Sequence, residues 1–283
     1  MTELVSILIP AYKAESFITE TIRCALQQSW PRKEVIVVDD GSPDRTYEVA
    51  KRVESAEVKV VRQDNGGAPS ARNKAFSLAQ GSYIQWLDAD DLLHPDKIRV
   101  QLEGAESGLT SRTLLTCSWG KFFFDTDRAV FSPDSLWRDL DPIEWIVTKF
   151  RDNAWMNPAV WLVSRRVTDA AGPWDSRIAR SGDDDGEYIC RVVGASDRVR
   201  FVPEARCYYR IATVGSLNWN METSETVLQQ LALSLTTSVR YLLSLEDSPR
   251  TRDAAVRLLD TFMFYFYASG DRFYDELNAV ARD

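Results

Sequence analysis

Asp88 and Asp90 stand one residue apart, Asp91 follows at once, and all three come directly after the apolar run YIQWL. An oxygen-only set at the end of a strand suits Mg²⁺ or Mn²⁺. The chain carries 34 Lys and Arg against 42 Asp and Glu, a net charge of −8, so a phosphate approaching these acids needs a cation beside them. The competing reading is that Asp90 or Asp91 caps a following helix while the others face water. Asp39 and Asp40 form a second acidic strand end. A carboxylate there can accept from the ring N–H of uracil or guanine, with Tyr12 offering an aromatic face to the base; Asp-Gly-Ser-Pro is also ordinary turn chemistry. Arg72, just after Gly66 and Gly67, can pair with a diphosphate or a base edge, or lie on a helix surface as most arginines do.

Other chemistries are excluded by what is missing. The turn after the first strand reads Pro10, Ala11, Tyr12, Lys13, Ala14, Glu15, with neither the GxGxxG of a dinucleotide site nor a P-loop. Cysteines at 24, 117, 190 and 207 form no CxxC pair and His94 is the single histidine, which argues against a spaced zinc site and for buried, reduced thiols. His94, in a loop before Pro95, reads as a surface residue. The acidic balance disfavours a dedicated nucleic-acid binder. The N-terminus lacks the basic and long apolar regions of a signal peptide, and LLDTFMFYFYASG falls short of the roughly 20 residues that span a bilayer. A cytoplasmic protein is expected, with contact at the inner face of the membrane as the alternative.

The elements that must position these residues are βαβ units. Short β-branched runs alternate with helical patterns: strands at Val5–Ile9, Glu34–Val38, Val58–Arg62 and Tyr83–Leu87, and helices from about Glu15, from Ser42 or Asp44 as cap to about Glu54, and through Ala71 to Ala79, ended by Gly81. That form implies a parallel sheet buried on both faces. Each polar cluster falls at the C-terminal end of a strand, the edge where open α/β sheets bind ligands. From about 113 the alternation lapses into mixed strands and loops (TLLTCSW, KFFF, RAVF), with seven of the nine tryptophans between Trp119 and Trp219. After about Met221 the pattern is helical, and its stripe Phe262, Phe264, Tyr265, Phe266, Tyr267 reads as helix packing, with a membrane-surface or homodimer contact as the lesser reading.

Taken together, SILIPAYK, QQSWPRKEVIVVDDGSPDRT, NGGAPSARNKA and GSYIQWLDADDLLHPDK, in order over residues 4 to about 103, resemble the family 2 glycosyltransferases of the GT-A fold. The resemblance implies a Rossmann-like, mostly parallel sheet flanked by helices. It divides the chain into a glycosyltransferase domain at 1–219 and a helical extension at 220–283, the former split into a nucleotide-sugar and metal half at 1–112 and an acceptor-side half at 113–219. It further implies a nucleoside-diphosphate-sugar donor, UDP favoured, held by Pro10, Tyr12, Asp40, Arg72, Asp88 and Ala89, with Mn²⁺ or Mg²⁺ on Asp88 and Asp90.

AGPWDSRI, SGDDDGEYICRVV and VPEARCYYRIATVGS resemble the family's acceptor-side segment, which usually carries a Glu-Asp pair whose Asp is the base. The register of Glu187 and Arg191 maps that pair onto Asp184 and Asp185, making Asp185 the base, or Asp184 if the run slips by one. Asp183–Asp185 would stabilise a helix start in either case. A family histidine just after the YYR element is absent, since Ile211, Ala212 and Thr213 follow Arg210. Trp161 and Trp174 stack on an acceptor sugar if exposed and only pack if buried, and Trp86 reads as core. The expected activity is inverting transfer to a hydroxyl of a glycan, lipid-linked or small-molecule acceptor. A binding module without a base and a nucleotidyltransferase stay open as alternatives.

Overall fold

The computed structural model describes residues 2–104, 110–179, 183–211 and 224–267. Its first part is β1 (Val5–Ala11), α1 (Ile18–Leu26), β2 (Lys33–Asp40), α2 (Thr46–Lys51), β3 (Val58–Gln63), α3 (Ala68–Leu78) and β4 (Tyr83–Trp86). These strands are parallel in the order β3-β2-β1-β4. Continuous apolar runs dictate this: every residue of β1 and the last six of β2 are buried, as strands covered on both faces require.

Two local details depart from the periodicity. α1 begins three residues late, because Lys13 adopts a left-handed φ of 53° and the Ala14 N–H is taken by the Thr46 hydroxyl at 2.8 Å. Gly81 does not end α3, which stops at Leu78. It makes room for β1, since a Cβ at Gly81 would lie 2.6 Å from the Ser6 nitrogen. At the start of α2, Asp44 accepts from the Thr46 N–H at 3.1 Å while Ser42 accepts from Lys13 N–H.

The second part comprises β5 (Leu92–Leu93), α4 (Lys97–Gly104), β6 (Thr113–Phe122), β7 (Val130–Phe131), α5 (Pro142–Asp152), β8 (Leu162–Ser164), α6 (Arg165–Ala171), α7 (Asp184–Ala195), β9 (Arg198–Arg210), α8 (Glu225–Leu245) and α9 (Pro249–Tyr267). β8 adds to β4 antiparallel, β6 adds to β8 antiparallel, β9 runs parallel to β6, and β5 closes the order antiparallel to β9. The sheet is therefore parallel through β4 and mixed beyond it, where strands no longer alternate one to one with helices. α8 packs on α7 and α9 on α5. Phe266 is fully buried and Phe262 half-buried, so this part of the aromatic stripe packs inward. All four cysteines are free thiols. Among the described residues no helix is long and apolar enough to cross a membrane.

Candidate active site

The turn after β4 brings Asp88, Ala89, Asp90 and Asp91 to the C-terminal edge of the parallel strands. No helix starts there, because Leu92 and Leu93 continue as a strand, so neither Asp90 nor Asp91 serves as a helix cap. Asp88 and Asp90 are half-buried and Asp91 is buried. One Asp91 oxygen accepts from the Arg210 backbone N–H at 2.9 Å and the other has no hydrogen-bond partner. Burial, with Asp90 and Asp88 alongside, holds this carboxyl well above the usual carboxylate range. Among the described residues no group of three or more His, Cys, Asp or Glu is arranged to hold a metal. Two carboxylates at a strand end nevertheless fit Mg²⁺ or Mn²⁺, which bind through one or two carboxylates completed by substrate phosphates.

Arg72 links this turn to the second half of the chain. It is not a surface arginine but 5% exposed. One end of its guanidinium donates to Asp88 at 2.9 Å and the other to Asp184, and its plane lies 4.3 Å from the Trp174 ring centroid. Burial opposes its charge, but Asp184 and Asp88 more than offset this and raise its pKa. The planar fork of Arg suits this two-way bridge in a manner a Lys ammonium does not.

Asp184 and Asp185 open α7. Asp183 precedes them and, instead of capping the helix, accepts from the Ser234 hydroxyl of α8 at 2.7 Å. Asp184 is buried against Arg72, and Asp185 is half-buried. Burial, reinforced by Asp184 and Asp183, pushes Asp185 from 3.8 up to about 7, against the opposing pull of Arg72 and Lys149. A carboxyl poised near neutrality has the acidity a general base needs.

At the neighbouring strand ends, Asp40 is 3% exposed and accepts from Gln63 Nε2 at 2.7 Å, Gly66 N–H at 3.0 Å and Gly67 N–H at 2.8 Å. Those bonds fill three of the roughly four acceptor sites of a carboxylate. They also use the N–H groups of the glycine loop, so that loop does not cradle a phosphate. Gly67 adopts φ +85°, and a Cβ there would stand 2.6 Å from the Ala179 Cβ. Asp39 is paired with Arg62 at 3.2 Å. Beside them Gly41, Arg62, Gln63, Asp64 and Asn65 line a polar crevice of about 630 Å³, within the size range of small-molecule sites. Tyr12 stands 48% exposed at the end of β1.

Comparison with known proteins bears on the fold that carries these residues. Residues 6–141 match the family model described as glycosyl transferase family 2. The crystal structure of S. aureus TarS 1–349 in complex with UDP superposes with a TM-score of 0.71 at 15% identity, covering 95% of this chain and 74% of that one. The fold is that of the family 2 glycosyltransferases.

The putative teichuronic acid biosynthesis glycosyltransferase TuaG of Bacillus subtilis is 42% identical over 103 residues, 35% of this chain and 41% of TuaG. The chondroitin synthase of Pasteurella multocida is 41% identical over 102 residues, 35% of this chain and 11% of that one. The matches thus span well under half the length of these relatives. The family 2 match takes in Asp39, Asp40, Arg72 and the Asp88–Asp91 turn, while Asp183–Asp185 lie outside it.

Within this family 2 fold two expectations need correction. Trp161 and Trp174 are 1% and 2% exposed, so neither presents a face to an acceptor sugar. Trp174 is instead a floor under the site. It stacks on Tyr188 with centroids 3.8 Å apart and meets Trp86 edge-on at 5.3 Å, while Arg72 rests on its other side. The packing reading of Trp86, 1% exposed, holds. His94 is half-buried and its Nδ1 accepts from the Asp96 N–H. Sequence reasoning also passed over Arg210. The signal was present, an arginine closing the CYYR run at the end of β9, but it was read only as part of a family element. In the structure Arg210 is buried and reaches the acidic turn.

Proposed function

We propose that this chain transfers a sugar from a nucleoside-diphosphate sugar, UDP favoured, to a hydroxyl of a glycan, lipid-linked or small-molecule acceptor, with inversion. The observation that carries the proposal is the Arg72 bridge. It ties the acidic turn after β4 to the acidic start of α7, so one guanidinium links a carboxylate of the cation site to the neighbour of the candidate base. The fold, the family match and the UDP in the TarS complexes support the donor class. Relatives named for teichuronic acid biosynthesis and as chondroitin and hyaluronan synthases support a glycan acceptor.

In this mechanism Asp185 accepts the proton of the attacking hydroxyl, a role worth about 10² to 10⁴ in rate. In this reading Asp184 serves to hold Arg72, and the base role falls to Asp185. Asp88 and Asp90 would hold Mn²⁺ or Mg²⁺, which offsets the charge developing on the leaving diphosphate when bound. Arg72, already pairing with Asp88, adds fixed positive charge at the same place. The crevice at Gly41, Arg62, Gln63, Asp64 and Asn65 receives the base, with Tyr12 beside the nucleoside and Pro10 and Ala89 lining the strand ends. Asp40 shapes this crevice by holding the Gly66–Gly67 loop and offers its remaining lone pair to the base.

A thermal-shift screen of nucleoside diphosphates and their sugars with Mn²⁺ tests the donor, since a ligand of the native state raises the melting point by mass action. Product analysis tests the reaction. Release of a nucleoside diphosphate is expected, and pyrophosphate would identify a nucleotidyltransferase instead. The anomeric configuration of the product, read by NMR, tests inversion.

A further inference from the structure

The turn bearing Asp88 and Asp90 is pinned from two elements distant in sequence. From α1, the Thr21 hydroxyl lies 2.8 Å from the Ala89 carbonyl and 3.2 Å from the Asp91 carbonyl. From the end of β9, Arg210 donates Nε to the Asp90 carbonyl at 2.8 Å, Nη1 to the Phe123 carbonyl at 3.2 Å and Nη2 to Glu20 at 2.7 Å. Its own backbone N–H goes to Asp91. The guanidinium lies 4.4 Å from the Phe122 ring centroid and 5.0 Å from that of Phe17, and the residue is 5% exposed. Each of its three nitrogens is thus committed in a different direction, and the carbonyls of three successive turn residues lie within hydrogen-bond reach of Thr21 or Arg210, the single Thr21 proton being shared between Ala89 and Asp91.

We propose that Arg210 is a positioning residue: by fixing the backbone of Asp90 it sets the Asp88 and Asp90 carboxylates to face one divalent cation before the diphosphate arrives. The inference rests on the donor reading given above. Arg210 bonds the carbonyl of Asp90, itself one of the two ligands, and keeps its counter-charge on Glu20, whose side chain is 53% exposed at the surface. Residues that orient metal ligands from behind cost roughly 10- to 100-fold in metal affinity when replaced.

The test uses the full chain and follows free Mn²⁺ by its electron paramagnetic resonance signal, with and without UDP, together with the melting curve of each variant. Arg210→Lys keeps the charge and loses the three-way fork. It is expected to weaken the Mn²⁺–UDP complex at least about tenfold. Arg165→Lys is the control, because Arg165 also donates to a backbone carbonyl, that of Gly81 at 2.7 Å, and lies over Phe76, at the opposite end of β4. It is expected to leave that affinity unchanged. Equal affinity in Arg210→Lys and Arg165→Lys would overturn the proposal. If Arg210→Lys does not fold, Glu20→Ala decides, since it removes the acceptor of Nη2 at an exposed site. A weaker Mn²⁺–UDP complex supports the assignment, and unchanged affinity overturns it. Wild-type protein that takes up no Mn²⁺ with UDP would overturn the donor reading, and this inference with it, before any variant is compared.

Discussion

Replacing Asp185 with Asn removes a carboxyl that the fold holds in an unfavourable ionisation state. Burial, with Asp184 and Asp183 beside it, lifts Asp185 from 3.8 to about 7, so ionising it costs the folded protein more than the unfolded chain. The group therefore weakens the native state as pH rises through the unfolded value, and the whole penalty is present above about 7. A shift of about three units corresponds to about 4 kcal/mol at most. Asp185→Asn escapes this penalty. Its stability relative to wild type is expected to rise between pH 4 and pH 8, by several degrees in melting temperature for a chain of this size. Activity runs the other way: a base must be ionised, so wild-type kcat/KM is expected to climb through an acid limb near pH 7, while the variant loses about 10² to 10⁴ in turnover and still binds UDP. Melting curves across that pH range and a pH–rate profile measure both. A stability difference that does not change with pH, or an acid limb below about 5.5, would refute this account of Asp185.

Arg72→Met strands the Asp184 carboxylate in the interior and is expected to cost about 3 to 5 kcal/mol in urea unfolding. In protein that still folds, the acid limb should move upward, because the cation that lowers Asp185 is gone. Asp90→Ala should make UDP affinity, measured by calorimetry, the same with and without Mn²⁺, whereas wild type gains affinity with the metal. Gly67→Ala forces a side chain into a φ of +85° and onto Ala179, and is expected to cost about 1 to 3 kcal/mol and to lower UDP affinity by disturbing the Asp40 loop.

Much of the β1–β4 region was legible because its signals are local. The apolar runs of β1 to β4 and the polar residues at their ends obey short-range rules, and strand boundaries fell within two residues. The misplaced start of α1 depended on a hydrogen bond from Ala14 to Thr46, 32 residues away, which no window of periodicity contains. The site's second half was readable in residue type but not in role. Asp184 and Asp185 are adjacent and identical in chemistry, and only the fold shows which of them Arg72 claims. Trp174 illustrates the same limit, since a tryptophan near a base looks alike in sequence whether its ring meets sugar or, as here, Tyr188 and Arg72. Arg210 was hidden because its partners, Glu20 and Asp90, lie 190 and 120 residues away.

The guanidinium shared between Asp88 and Asp184 also bears on how such chains can be recombined. Arg72 comes from α3 and one of its two acids, Asp184, from α7, while β4 pairs with β8 antiparallel. A chimera that grafts residues 1–112 onto the rear of another transferase keeps the Arg72–Asp88 pair but leaves the other end of a buried guanidinium unanswered. Such a graft is expected to lose stability unless the recipient brings an acceptor, best a carboxylate, to the place of Asp184.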